Sequence, residues 1–112
     1  RGDQLPQPSV RVPPQYRADM RKSGVTGSVV VSLVVDANGE VRDAFTAKST
    51  RREFEAAAVE AVRQWKFDPG VKGGRLVNTR LEVPITFSLQ NADGSLQTDM
   101  GELTPVNQAG WF

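Results

Sequence analysis

The sequence contains no cysteine and no histidine. A disulfide framework, a thiolate–imidazole metal site and the Cys–His and Ser–His nucleophile pairs of hydrolases are therefore excluded. Aromatic residues make up only 7% of the chain, so valine must supply much of the core. No apolar run approaches the about 20 residues that a membrane-spanning helix needs. Because the chain begins at Arg1, we expect any targeting or anchoring segment to lie outside it.

The 112 residues suit one domain, and an apolar content of 38% is that of a folded chain. The net charge of +1 gives no reason to expect a nucleic-acid partner. Charge is uneven, because the charged residues before Gly24 are mostly basic and all the charged residues from Asn91 onward are acidic. No carboxylate stands in an apolar setting that would tune an acid–base pair. We therefore expect a domain that is not an enzyme and holds no metal or cofactor.

The clearest strand signal is the valine-rich stretch GSVVVSLVVD at residues 27–36. Its uniformly apolar face is assigned to the core and consists of Val29, Val31, Leu33 and Val35. The next residues, Asp36-Ala37-Asn38-Gly39, have turn chemistry because Asn and Gly tolerate a positive φ. A hairpin is predicted, with residues 41–48 as the returning strand and a bulge near Arg42 and Asp43.

A helix is predicted from a capping box at Thr50 and Glu53 to about Trp65. Its apolar residues recur at three- and four-residue spacing and form one stripe: Phe54, Ala58, Ala61, Val62 and Trp65. Trp65 is expected to close the helix onto the sheet as a core residue, rather than to bind a ligand.

Residues 77–89 (VNTRLEVPITFSL) alternate between apolar and polar side chains and are predicted to form a third strand. Pro84 lies inside this strand. Since proline has no N–H to donate to a ladder, it points to a strand at the edge of the sheet. An edge strand exposes unpaired backbone groups, to which an extended peptide can add as a further strand.

The two ends of the chain give weaker signals. Residues 1–13 are rich in proline and are interpreted as an extended linker. Residues 16–23 contain no internal glycine or proline and are predicted to form an optional short helix. Residues 91–112 form an acidic tail, which is either an unstructured spacer or a segment that lies along the edge strand until a peptide displaces it.

These elements predict an α+β fold in the order ββαβ, to which we assign residues 14–90. The first strand has no proline and belongs at the centre of a three-stranded antiparallel sheet of order 2-1-3. One main helix crosses over and covers one face of this sheet.

Three segments in order carry a resemblance to a known family: Pro14-Gln15-Tyr16, residues 27–41 (GSVVVSLVVDANGEV) and residues 58–87 (AVEAVRQWKFDPGVKGGRLVNTRLEVPITF). The most specific part is RQWKFDP at residues 63–69. Over roughly residues 13–89, the chain resembles the C-terminal domain family of TonB proteins.

The resemblance implies the periplasmic receptor-binding domain of a TonB-type energy transducer, in a protein anchored to the inner membrane of a Gram-negative bacterium. In such proteins an ExbB–ExbD motor, whose contacts are expected outside this chain, uses the proton-motive force. The C-terminal domain grips the TonB box, a peptide of an outer-membrane TonB-dependent receptor. Force then opens the receptor for a siderophore, cobalamin or another large solute.

The expected peptide site is the third strand, with Asn78, Arg80, Leu81, Glu82 and Val83 as its pairing residues. By resemblance, Gln15, Tyr16 and Arg17 flank it, and Arg17 replaces the family's usual proline, so this side is expected to differ in detail. Arg80 and Glu82 are candidates for ion pairs with the incoming strand. The alternative is that both belong to the solvated face of a protected strand.

Two other functions share the predicted fold. One is a TonB-like interaction module of another envelope protein, such as a TolA-like protein or a domain appended to a sensor peptidase. The other is assembly, because an open edge also allows strand exchange between two copies in a homodimer. A single anchor helix followed by a proline-rich spacer upstream of this chain would favour the transducer.

Overall fold

The computed structural model describes residues 3–15, 18, 24–89 and 96–106. The helical elements with described bounds are a 3-10 turn (Arg52–Phe54) and helix α1 (Glu55–Arg63), and Ala18 is also helical. The strands are β1 (Gln7–Val10), β2 (Gly27–Val35), β3 (Val41–Ser49), β4 (Lys66–Asp68), β5 (Gly70–Lys72), β6 (Arg75–Val77), β7 (Thr79–Leu89), β8 (Leu96–Met100) and β9 (Thr104–Pro105). The short helix predicted at residues 16–23 falls on residues that, except for Ala18, lie outside the described part.

The central sheet has the antiparallel order β3-β2-β7, and β8 and β9 pair with the other side of β7. The predicted α+β fold, the order 2-1-3 and the central position of the valine-rich strand are therefore confirmed. The sheet is larger than the predicted three strands because the C-terminal tail adds two short strands to it.

One face of this sheet and the inner face of α1 form the hydrophobic core. The alternating residues predicted for the core face of β2 are fully buried. They meet the corresponding residues of β7 and the apolar stripe that ends at Trp65, whose side chain is also fully buried. Phe54 and Phe87 stack with ring centroids 4.2 Å apart and join the start of the helical segment to β7. The predicted core position of Trp65 is confirmed.

The turn between β2 and β3 is organised by the Asp36 carboxylate. It accepts hydrogen bonds from the backbone N–H groups of Asn38 and Glu40, both at 2.9 Å, and from Arg42 Nε at 2.8 Å. The Arg42 bond is the largest cause that lowers the pKa of this carboxyl, and the two backbone bonds lower it further. The stabilisation is therefore fully present above the ordinary carboxyl pKa and is lost as the pH falls through the lower folded value.

The predicted bulge in the returning strand is confirmed. The β2–β3 register shifts between Ser32 and Val34, opposite Asp43, which has a φ of +53°. A second shift lies between Val30 and Val31.

The predicted capping box at the helix start is wrong. Thr50 Oγ1 instead accepts a hydrogen bond from the backbone N–H of Ser28 at 2.9 Å, so it fastens β2 to the end of β3. The residue before the 3-10 turn is Arg51, which makes no side-chain capping bond. A hydroxyl that serves the neighbouring strand is not available to the helix, and sequence spacing alone does not show that competition.

The N-terminal arm, residues 3–15, lies against the domain. Strand β1 pairs with β4, and Gln4 exchanges two backbone hydrogen bonds with Val71, at 2.7 and 2.8 Å. Trp65 Nε1 donates to the Val12 carbonyl at 2.9 Å. The part of residues 1–13 that the structure describes is therefore packed, where the sequence predicted a linker. The arm is ordered because β4 and the β5–β6 hairpin offer it unpaired backbone groups.

Candidate functional site at the outer edge of β7

The outer edge of β7 is the side that faces away from β2. On its inner side, β7 pairs with β2 through nine successive residue pairs without any register shift, from Gly27–Phe87 to Val35–Thr79. A strand held this regularly presents evenly spaced N–H and C=O groups on its other side. Such a row is a template for another strand.

In this structure the chain's own tail occupies that edge. Strand β8 pairs antiparallel with residues 85–89, and β9 pairs with Leu81 and Glu82. Between and beyond these strands, Gly101 N–H donates to the Pro84 carbonyl at 2.8 Å and Val106 N–H donates to the Arg80 carbonyl at 3.2 Å. The interpretation of Pro84 as the mark of an open edge strand is wrong for this structure, because the tail covers the edge.

Pro84 lies beside the point where the ladder between β7 and the tail shifts its register. Leu81 pairs with Pro105 and Ile85 pairs with Met100, so the tail carries one more residue than β7 between these two pairs. This is the arrangement of a β-bulge. The Gly101–Pro84 hydrogen bond keeps the register of Ile85–Met100, so the extra residue lies at Glu102 and Leu103, opposite Val83. Pro84 has no N–H to offer the tail, and its carbonyl accepts the Gly101 N–H. A proline in a strand is thus equally compatible with a bulge and with an open edge, and the sequence alone does not distinguish them.

Gly101 allows the tail to pass close to the ring of Pro84. A Cβ atom at this position would lie 2.7 Å from Pro84 Cγ and 3.4 Å from Pro84 Cδ. The first distance is shorter than van der Waals contact allows, and the proline ring has little freedom to move. A residue without a side chain is therefore needed where the tail crosses Pro84.

The other edge of the sheet, along β3, is poorly suited to strand addition. Its register shifts twice, and it carries charged residues at Arg42, Asp43 and Lys48. Bulges and charges on an edge strand are common protections against unwanted pairing. The two edges of the sheet therefore differ: β3 is irregular, whereas β7 is regular and accepts a strand.

The predicted pairing residues hold different positions on β7. Leu81 and Val83 are buried in the core through their side chains. Because the Arg80 and Pro84 carbonyls face the tail and successive residues of a strand alternate, the N–H and C=O groups of Leu81 and Val83 face β2. Glu82 is half-buried and pairs with Thr104 of the tail. Asn78 lies just before the strand, and its Oδ1 accepts a hydrogen bond from Ala37 N–H at 3.0 Å, which supports the β2–β3 turn.

The Arg80 side chain crosses the open face of the sheet. Its Nη1 donates to Ser32 Oγ at 2.9 Å, its Nη2 lies 3.4 Å from Asp43 Oδ2, and its guanidinium carbon lies 5.6 Å from the centre of the Phe45 ring. These contacts tie β7 to β2 and β3. An ion pair with an incoming strand would have to break them.

Gln15, Tyr16 and Arg17 are not brought together with β7 by the described structure. Gln15 is exposed and lines a groove against α1 that also includes Ala57 and Glu60. Tyr16 and Arg17 lie outside the described residues.

Sequence reasoning missed the contribution of the N-terminal arm. Arg11 stacks over Trp65, with its guanidinium carbon 5.4 Å from the ring centre, and its Nη1 donates to the Met100 carbonyl at 3.3 Å. The arm therefore contacts both the core tryptophan and the tail that covers β7. The alternating pattern that marks a strand is absent from residues 7–10, so no local signal indicated this pairing.

Across the ranges that the structure describes, no three Asp or Glu side chains come together as a metal site would require. No helix in the same ranges is both long and apolar enough to span a bilayer. The arrangement at β7 is one for backbone pairing with an extended segment.

The fold and this edge define a small α+β module that pairs an extended segment along β7. The chain belongs to the TonB C-terminal family: the family described as Gram-negative bacterial TonB protein C-terminal matches residues 12–89. Members of this family are energy transducers rather than enzymes, in agreement with the expectation of a non-catalytic domain.

Two relatives illustrate the similarity. The chain is 38% identical over 78 residues to the protein TonB of Xanthomonas campestris pv. campestris. The aligned residues are 69% of this chain and 35% of that protein. It is 34% identical over 83 residues to the protein TonB of Vibrio cholerae serotype O1, and this alignment covers 73% of this chain and 34% of that protein. The chain thus spans about a third of the length of these relatives.

A solved structure has the same fold. The solution NMR structure of Pseudomonas aeruginosa TonB CTD aligns with a TM-score of 0.58 and 23% sequence identity. The alignment covers 95% of this chain and 92% of that one.

Proposed function

We propose that this domain binds an extended peptide, the TonB box of an outer-membrane receptor, by strand addition to the outer edge of β7 in exchange for its own tail. The observation that carries the proposal is that this edge already accepts a strand, through β8, β9 and the hydrogen bonds to the Pro84 and Arg80 carbonyls. A peptide in the same place would use the same backbone groups. Backbone pairing makes little demand on peptide sequence, which suits a transducer that serves several receptors.

The tail is suited to being exchanged. Strand β9 has only two residues, and both of them, together with the following Val106, are exposed. The ladder between the tail and β7 is also interrupted by the bulge between Gly101 and Thr104. A tethered segment competes at an effective concentration of about 1 mM when its linker is short and flexible. The measured affinity of a peptide is therefore weaker than its affinity for the uncovered edge, because binding also has to displace the tail.

Within this proposal, the pairing groups are the outward N–H and C=O groups of β7, which at its N-terminal end belong to Arg80 and Glu82. Leu81 and Val83 lie beside them on the strand and contribute buried side chains to the core. Glu82 is the better candidate for an ion pair with the peptide, because Arg80 is already held by Ser32 and Asp43. Asn78 positions the neighbouring turn. Gln15, Tyr16 and Arg17 stay proposed flanking residues on the strength of the family resemblance.

The wider role follows from the family. The domain would work in the periplasm, as part of a protein anchored in the inner membrane, where an ExbB–ExbD motor couples the proton-motive force to uptake of siderophores or other large solutes. In this proposal, membrane anchoring and contact with the motor belong to parts of the protein outside this chain, and the domain itself supplies the receptor grip.

Titration of the 15N-labelled chain with synthetic N-terminal peptides of outer-membrane receptors tests the peptide site. We expect amide shifts along β7 and along the tail at residues 96–106, because the peptide takes over one strand's position and releases the other. A scrambled peptide of the same composition is the control. Shifts confined to the β3 edge or to the outer face of α1 would show that the peptide binds elsewhere.

A further inference from the structure

A groove lies between the N-terminal arm and the tail, next to the N-terminal end of β7. It is lined by Leu5, Pro6, Gln7, Pro8 and Arg11 of the arm, Leu81 of β7, and Glu102 and Leu103 of the tail. Leu103 is half-buried and packs against the hydrophobic core, whereas Glu102 beside it is exposed. The tail thus presents one apolar and one acidic side chain at the place where the arm meets the sheet.

The arm wall of this groove is held independently of the tail. Strand β1 is paired with β4, Asp3 Oδ1 accepts from Gly73 N–H at 3.0 Å, and Trp65 Nε1 donates to the Val12 carbonyl. Pro6 is buried. Among the described residues, departure of the tail would break the hydrogen bond from Arg11 to the Met100 carbonyl. The wall is therefore expected to stay in place after the exchange, as a preorganised surface.

We infer that the arm and Leu81 form a side-chain subsite of the strand-binding edge. The inference rests on the proposed peptide exchange and deepens it, by naming the kind of peptide that the site prefers. A strand that replaces the tail has to pass this wall. Its apolar side chain would take the place of Leu103 in this groove, and an adjacent acidic side chain would replace Glu102 in the groove that Arg11 also lines.

The acidic preference comes from the charges of the groove. Arg11 and Glu102 are the charged residues among those that line it. When Glu102 leaves with the tail, Arg11 is the charged lining residue that remains. A peptide carboxylate at this point restores opposite charges across the groove, whereas a peptide lysine places two positive charges together. Backbone pairing along β7 would then supply general affinity, and the subsite would select among extended peptides.

A peptide series based on the tail tests this subsite. The protein is the full 15N-labelled chain carrying Gly101→Ala, which weakens docking of its own tail, and the probe is a synthetic peptide of residues 95–107 with the native glycine. We expect the native peptide to shift amides of β7 and of arm residues 5–11. Leu103→Asp in the peptide should weaken binding at least about tenfold, because it places a charge in an apolar contact. Glu102→Lys should weaken it about threefold, and this loss should shrink when the protein also carries Arg11→Gln.

The control peptide carries Val106→Ala, a change at an exposed residue, and should bind within about twofold of the native one. If β7 amides shift but the amides of arm residues 5–11 do not, the subsite is refuted and the peptide exchange stands. The same holds if the Leu103→Asp peptide binds like the native peptide. If the native peptide leaves β7 unshifted, the exchange and the subsite both fail.

Discussion

Replacing Gly101 with alanine is expected to raise the affinity of the domain for an added receptor peptide about tenfold. The new methyl group would lie 2.7 Å from Pro84 Cγ, so the tail has to move away from β7 to relieve the overlap. Overpacking of this kind typically costs about 1–3 kcal/mol. The cost falls on the tail-docked state and not on the peptide complex, because the tail is released there. A loss of about 1.4 kcal/mol from the competing state corresponds to a tenfold gain in affinity.

Isothermal titration of a receptor peptide into the wild-type and Gly101→Ala chains measures this gain. The matched control is the double variant Pro84→Ala with Gly101→Ala. Removal of the ring removes the overlap, and the alanine N–H adds a donor on the tail side, so the tail should dock again and the affinity should return toward wild type. Equal affinities in the wild-type and Gly101→Ala chains would show that the tail does not compete with the peptide.

Replacing Trp65 with alanine is expected to lower the free energy of unfolding by about 3–5 kcal/mol. The side chain is fully buried, so its removal leaves a large cavity between α1 and the sheet. The substitution also deletes the hydrogen bond to the Val12 carbonyl and the ring on which Arg11 stacks. Since small domains have about 5–15 kcal/mol of stability in total, the variant should be close to unfolding at room temperature.

Urea unfolding followed by circular dichroism measures the change. Trp65→Phe separates the two roles of the tryptophan, because it keeps most of the packing and loses the bond to Val12, at a cost of about 1 kcal/mol. Leu76→Ala is the control for loss of a large apolar side chain at an exposed site, since Leu76 is 59% exposed, and should change stability by less than about 0.5 kcal/mol. A Trp65→Ala chain as stable as Leu76→Ala would contradict the assignment of Trp65 to the core.

The central part of the fold was predictable because its signals are local and strongly periodic. Alternation along residues 27–36 identifies β2, and the three- and four-residue spacing that ends at Trp65 identifies α1. Both patterns arise from burial of one face, and the structure buries those faces. The bulge beside Asp43 was also predictable, because the alternation of the returning strand fails there.

What the sequence did not reveal depends on contacts between distant segments. Strand β1 forms because β4, more than fifty residues later, leaves a free side to pair with. The Thr50 hydroxyl bonds to β2 instead of capping the helix. Pro84 indicated an unusual position in β7, but whether its edge is open or covered was decided by the pairing of β8 and β9 with β7. Each of these outcomes is a choice between two local possibilities that a distant partner settles.

The sequence predicted on which strand the candidate site lies, but not whether the outer edge of that strand is open or covered. The alternating residues of the third strand and its proline led to β7 as the predicted site, and the family resemblance led to peptide addition as its proposed function. The sequence left open whether the tail is a spacer or a covering strand. The structure shows it paired along β7 from Leu89 to Leu81. The proposed competition between the tail and a peptide rests on this pairing.

Hydrogen–deuterium exchange of the tail amides in the presence of a receptor peptide tests most directly whether the peptide replaces the tail on β7. In the free chain, the Gly101 and Val106 N–H groups donate to β7 and should be protected. With saturating peptide, both should lose their protection while the N–H of Glu82 on β7 keeps it, because the peptide replaces the tail as the partner strand. Tail amides that stay protected in a chain saturated with bound peptide would contradict the proposal that the outer edge of β7 is the peptide site.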